Sequence, residues 1–144
     1  MINEKTTHDL LKVLQNLDRA DDLGEYISQA AGSESLTFAD YFCSLPCVRS
    51  HSNADLIRRS GIERTYYYQL INGTRRPGRD KVILLGLAAG LSVKEVQRAL
   101  EISQLGILYA KNRRDSILIF ALQNAINIDD TQELLLSYQE APLT

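Results

Sequence analysis

The sequence predicts an all-α fold, and three observations carry that reading. Apolar residues recur at helical spacing along most of the chain, as Leu10, Leu11, Leu14 and Leu17 do near its start. The stretches between them hold helix-ending and helix-starting chemistry, with Gly32, Gly61 and Gly73 as stops and Ser52 as a start. No run of alternating apolar and polar residues is long enough for a strand. The length of 144 residues fits one domain. With 44% apolar and 24% charged residues, the composition is that of an ordinary globular chain and excludes a disordered tail or a collagen.

The elements follow in order. A first helix starts after Thr6 or Thr7, carries Asp9 in its first turn and ends near Asn16–Asp18. Asp21 and Asp22 open a second, through Ile27 and Ala31, which Gly32 stops. A third fits Thr37 to Leu45, with Phe38, Tyr41, Phe42 and Leu45 on one face, and Pro46 ends or kinks it. Ser52 reads as an N-cap with Asp55 as its capping-box partner, opening a helix that turns Leu56 and Ile57 inward and stops at Gly61. A fifth helix runs from about Glu63 to Asn72, with Gly73 as a left-handed cap. The segment Asn72 to Gly78 is turn chemistry holding two arginines. Four further helices are expected at about 79–89, 92–103, 114–125 and 128–138.

Residues 79–108 and 114–143 repeat one another at an offset of 35. Arg79/Arg114, Asp80/Asp115, Leu87/Leu122, Gln97/Gln132, Leu100/Leu135, Gln104/Gln139 and Leu108/Leu143 are identical pairs. The physical reading is two copies of one helical hairpin, the second packing on the first and completing the core. The expected organisation is an N-terminal helical extension at 1–35, a core at 36–108 and a C-terminal hairpin at 109–144, together one compact unit.

Charge divides the chain more sharply than its net value of −2 suggests. Residues 1–48 hold 3 basic and 8 acidic side chains, residues 49–81 hold 8 basic and 3 acidic, and residues 82–144 hold 5 basic and 7 acidic. A basic island of this kind can neutralise phosphates locally while the whole chain stays acidic. The longest uncharged run, Ser116 to Ile128, has 13 residues, short of the roughly 18 a membrane span requires. The first residues lack the apolar core of a signal peptide, so the two cysteines read as reduced thiols and the expected location is the cytoplasm.

Catalytic chemistry finds no support. There is no phosphate loop of the GxxxxGK[ST] kind and no Ser/His/Asp or Cys/His arrangement, so no enzyme activity and no cofactor is expected. Cys43, Cys47 and His51 are spaced by four, but Pro46 interrupts the spacing and a fourth ligand is missing. The expectation is no metal site.

Ser52 to Gly73, reading SNADLIRRSGIERTYYYQLING, places two short helices about a glycine turn. This segment resembles the DNA-binding helix-turn-helix of the Cro and lambda-repressor class, also called the Xre type. The family elements are matched by Asn53, the Leu56–Ile57 pair, Gly61, Glu63-Arg64-Thr65, Asn72-Gly73, Pro77 and the following GLSVKEV at 90–96. The resemblance is strongest over residues 36–102. It implies a lambda-repressor-like core and a sequence-specific transcriptional regulator that reads the major groove with the helix at about 63–72.

Helical geometry turns Tyr67, Leu70 and Ile71 inward and leaves Arg64, Thr65, Tyr68, Gln69 and Asn72 on the opposite face. Arginine forks onto guanine and glutamine pairs with adenine, so Arg64, Thr65, Tyr68 and Gln69 are the expected base readers. Asn53, Asn72, Thr74, Arg75, Arg76 and Arg79 are the expected phosphate contacts. The expected partner is double-stranded DNA with a near-palindromic site, bound by a homodimer. The acidic N-terminal helices are the expected surface for any protein partner. The alternative is an interaction module that keeps the fold with weak or no DNA binding, for which the Tyr66–Tyr68 run offers a face.

Overall fold

A computed structural model of the chain describes residues 36–144. The two helices expected before residue 35 lie outside the described residues. Residues Thr37–Thr144 form one compact unit. Its eight helices are α1 (Phe38–Ser44), α2 (Pro46–Arg49), α3 (Asn53–Ser60), α4 (Arg64–Ile71), α5 (Arg79–Ala89), α6 (Val93–Ile102), α7 (Arg113–Gln123) and α8 (Ile128–Ser137). The described part is therefore all-α, with no strand among its residues.

The expected third helix, Thr37 to Leu45, is α1, and a short helix that the sequence reading did not predict, α2, follows it. Thr37 caps α1 by accepting the Asp40 N–H, and the chain leaves helical geometry at Leu45, with φ −73° and ψ 133°. Proline disfavours helical geometry in the residue before it but suits the first position of a new helix, where no N–H is needed. Pro46 accordingly begins α2 rather than merely stopping α1. At four residues, α2 is too short to show a period in the sequence.

Ser52 caps α3 by accepting the Asp55 N–H. The expected capping box is only half made. The Asp55 carboxylate meets His51 Nδ1 at 2.8 Å and Arg59 Nε at 2.9 Å, and also pairs with Arg58. Hydrogen bonds between charged partners are about twice as strong as neutral ones, so the carboxylate goes to the arginines. Gly61, at φ 70°, ends α3 in the left-handed region that glycine enters without a steric penalty.

Helix α5 is buried at every position from Val82 to Ala89. Such a helix is hydrophobic all round because other helices surround it: α3 on one side, α6 following it, and α7 and α8 beyond. Phe42, Leu56, Tyr67, Leu70, Ile83, Leu85, Leu100, Leu118 and Leu135 fill one continuous core.

The repeat carries through to individual hydrogen bonds. Gln97 accepts the Leu108 N–H and donates to the Leu108 carbonyl, and Gln132 does both with Leu143. Arg79 Nε donates to the Gly106 carbonyl, and Arg114 Nε to that of Ala141. Across the copies, Arg79 pairs with Asp115 while Arg114 pairs with Asp80. Likewise the Tyr109 N–H donates to Asp115 and the Thr144 N–H to Asp80. Each contact has its counterpart 35 residues away, and the contacts between copies are reciprocal.

Candidate nucleic-acid interface

Helix α4 starts at Glu63, whose two carboxylate oxygens accept the Tyr66 and Thr65 N–H groups at 3.0 and 3.1 Å. Those bonds hold its carboxyl below the usual glutamate range. A negative charge here also complements the helix dipole. The helix is pinned from its inner side by Tyr67, 1% exposed, whose hydroxyl donates to Asn53 Oδ1 at 2.9 Å. Burial pushes the Tyr67 hydroxyl up to about 12, so it remains a protonated donor. Leu70 is buried beside it and Ile71 half-buried. The Asn53–Tyr67 bond ties the first turn of α3 to the middle of α4 and fixes how α4 sits on the core.

The opposite face of α4 is open. Arg64 and Thr65 are exposed, and Tyr68 and Gln69 are half-buried one turn on. The Arg64 guanidinium lies over the Tyr68 ring, 5.4 Å from its centroid, and Tyr68 meets Tyr67 edge to face. Stacking on an aromatic face restrains the arginine without using its donors.

The loop after α4 is ordered by its own side chains. Asn72 Oδ1 accepts both the Thr74 N–H at 3.0 Å and the Thr74 hydroxyl at 2.6 Å. The Arg75 N–H donates to the Gln69 carbonyl at 3.1 Å, Gly73 takes φ 83°, and Pro77 is buried. The Arg75 guanidinium sits 4.7 Å from the Tyr66 ring centroid, and Lys81 Nζ lies 5.4 Å from it. Arg76 is exposed beside them. Lys81, in the first turn of α5, lies beside this group although the sequence reading did not single it out, and its Nζ also donates to the Thr144 carbonyl at 2.7 Å. Its place in the basic island, two residues after Arg79, was the available signal.

Four expected phosphate residues have side-chain partners within the chain: Asn72 and Thr74 bond each other, and Arg79 and Asn53 bond residues of other helices. Arg79 donates through Nη1 and Nη2 to Asp115 at 2.9 and 2.8 Å, and also to the Gly106 and Ile107 carbonyls. Its guanidinium belongs to the joint between the repeats. Asn53 uses its side-chain oxygen on Tyr67, although the residue itself remains exposed. Arg64, Thr65, Tyr68 and Gln69 are thus gathered on α4, and Asn72, Thr74, Arg75 and Arg76 on the adjoining loop.

Cys43, Cys47 and His51 are not assembled. The Cys43 thiol donates to the Ile71 carbonyl at 3.6 Å, His51 is bound to Asp55, and the break at Leu45–Pro46 separates the two cysteines. Among the described residues, no helix is long and apolar enough to cross a membrane. Compared with protein-family models, curated proteins and solved structures, the chain matches none of them.

Proposed function

We propose that the chain is a sequence-specific DNA-binding transcriptional regulator whose α4 enters the major groove. The observation that carries this reading is the exposed face of α4. Arg64 and Thr65 stand at its start, Gln69 follows one turn later, and Arg75 and Arg76 flank it on an ordered loop. The N-terminal residues of a recognition helix are those that reach base edges. An arginine restrained by Tyr68 enters such a contact with less side-chain freedom to lose. The loop cations Arg75 and Arg76 would neutralise phosphates on one side of the groove. The cytoplasm and a homodimer on a near-palindromic site complete this reading.

The test is a selection from random duplexes with the full chain, followed by titration of Arg64→Ala on the selected and a scrambled duplex at fixed salt. A base-reading arginine contributes about 1–3 kcal/mol of discrimination at its own base pair. The variant should therefore lose more affinity for the selected duplex than for the scrambled one, while thermal melting stays nearly unchanged. Equal loss on both duplexes would make Arg64 a phosphate contact. Failure to select any duplex would remove sequence-specific DNA reading and favour an interaction module, with the Tyr66 and Tyr68 face as its surface.

A further inference from the structure

Equivalent residues of the two repeats differ in burial, and the differences lie on one side. On α5, Val82, Leu85 and Ala89 follow i, i+3, i+7 spacing and are all buried, with α3 packed on that helix. Thirty-five residues on, Ile117 is half-buried, Phe120 is 51% exposed against 0% for Leu85, and Asn124 is exposed. On α6, where α1 packs, Ala99 is buried and Ile102 half-buried. Their counterparts on α8, Leu134 and Ser137, are half-buried and exposed. Next to them Tyr138 is 52% exposed. Among the described helices, none takes the place on α7 and α8 that α3 and α1 take on α5 and α6.

The charges around this face, which no described helix covers, are mostly acidic; the exception is Arg113, whose guanidinium lies 5.9 Å from the Tyr138 ring centroid and donates to the Tyr138 carbonyl. The Tyr41 hydroxyl of α1 lies within electrostatic reach of both Glu95 and Arg98 on α6. The counterparts on α8 are Asp130 and Glu133, two carboxylates in place of an acid and a base. Residues 115–144 contain no lysine or arginine at all. Arg113 and Arg114, at the start of α7, are engaged by Glu140 and Asp80. What α5 accepts in the first repeat is itself a short basic amphipathic helix: α3 buries Leu56 and ends in Arg58 and Arg59.

We propose that the outer face of the second repeat, with Ile117 and Phe120 on α7 and Leu134 and Tyr138 at α8, docks a basic amphipathic helix of a partner protein. The apolar side chains take the partner's apolar stripe, as α5 takes Leu56 of α3. Asp130 and Glu133 select for lysine or arginine along its edges and against an acidic helix.

The experiment uses the isotopically labelled full chain and two synthetic peptides about 15 residues long, the length at which an isolated helix begins to be stable. One has leucine at i, i+3, i+4, i+7 with lysine elsewhere, and the other has glutamate in place of lysine. The Leu/Lys peptide should shift amide resonances within residues 116–138, and the Leu/Glu peptide should leave them unmoved. Phe120→Ser should weaken the Leu/Lys peptide at least about tenfold. If that variant fails to fold, the exposed pair Asp130→Lys and Glu133→Lys serves instead, and should reverse the preference between the peptides. Equal binding of both peptides, shifts confined to other parts of the chain, or no shifts would overturn the proposal. So would concentration-dependent self-association that perturbs these same amides without peptide, because the occupant would then be a second copy of the chain.

Discussion

Arg79 and Asp115 face each other in a two-pronged pair, Nη1 to Oδ1 at 2.9 Å and Nη2 to Oδ2 at 2.8 Å, with the aspartate side chain only 7% exposed. The same guanidinium holds the Gly106 and Ile107 carbonyls, so one side chain ties the starts of α5 and α7 to the linker between them. Removing one partner of a buried pair strands the other and costs about 3–5 kcal/mol. Arg79 keeps some access to water, so Asp115→Ala should cost about 3 kcal/mol and lower the melting temperature by roughly 10 °C or more. Asp80→Ala strands Arg114, whose side chain is 19% exposed against 29% for Arg79, and should cost at least as much. Thermal melts followed by circular dichroism check the order, and the reverse order would contradict this account of the joint.

The joint should also respond to acid. Burial works to raise the carboxyls of Asp80 and Asp115. The opposing guanidinium and a backbone N–H outweigh it in each and leave both below their ordinary value. In the unfolded chain each returns to about 3.9. The folded chain therefore binds fewer protons, and the stability these groups contribute is complete above that value and lost as pH falls through the depressed one. Urea midpoints should be nearly level from about pH 7 to 5 and drop below about pH 4. Asp115→Asn should start from a lower plateau and fall less steeply, and parallel curves would show that Asp115 does not govern the drop.

Local features were readable in the sequence, and distant partnerships were not. Ser52 and Gly61 act on backbone within a few residues, so the bounds of α3 follow from chemistry visible in sequence order. Tyr67 was legible as an inward residue because its helical neighbours fix its direction. The repeat was legible through its identical Arg, Asp and Gln positions, and the structure gives those identities a reason: Arg79, Asp80, Gln97 and their counterparts bond across a turn or between copies, while Gln104 and Gln139 share a left-handed backbone at φ 59° and 61°. The partner of Arg79 was not legible, because a count of charges along the chain cannot show that Asp115, 36 residues away, lies opposite it. Lys81 was passed over for the complementary reason: only packing brings it to the Tyr66 ring.

The two copies also serve as controls for each other. Ala125 holds φ 51° where the first copy has Gly90 at φ 76°. A left-handed conformation costs a residue with a Cβ roughly 1–2 kcal/mol. Ala125→Gly should stabilise the chain by up to about 1 kcal/mol, and Gly90→Ala should destabilise it by a similar amount.

Gly86 has the opposite relationship to its counterpart, Ala121. A Cβ at Gly86 would lie 2.6 Å from Val96 Cγ2, whereas the second copy places Thr131 where the first has Val96. Overpacking of this kind costs about 1–3 kcal/mol. Gly86→Ala should show that loss in urea unfolding, and the absence of a loss would mean that α5 and α6 shift apart freely.

Salt dependence separates the cations. If Arg75 and Arg76 neutralise phosphates, changing both to alanine should reduce the slope of log affinity against log salt by about 0.9 per contact. Arg79→Ala, measured where it remains folded, should lower stability and leave that slope unchanged. Fluorescence anisotropy on one duplex over a salt series reads both effects. A slope reduced by Arg79→Ala would return that residue to the DNA side.

The reciprocity of Arg79–Asp115 and Arg114–Asp80 fixes how many units can join in this way. Helical hairpins stacked head to tail leave a fresh acceptor at each end and can be extended indefinitely. An isologous joint closes upon itself, because each unit donates and accepts through the same patch. Once two hairpins have met, both arginines and both aspartates are spent, and a third 35-residue unit appended to the chain would find no vacancy in the joint. Duplication of this hairpin therefore reaches closure at two.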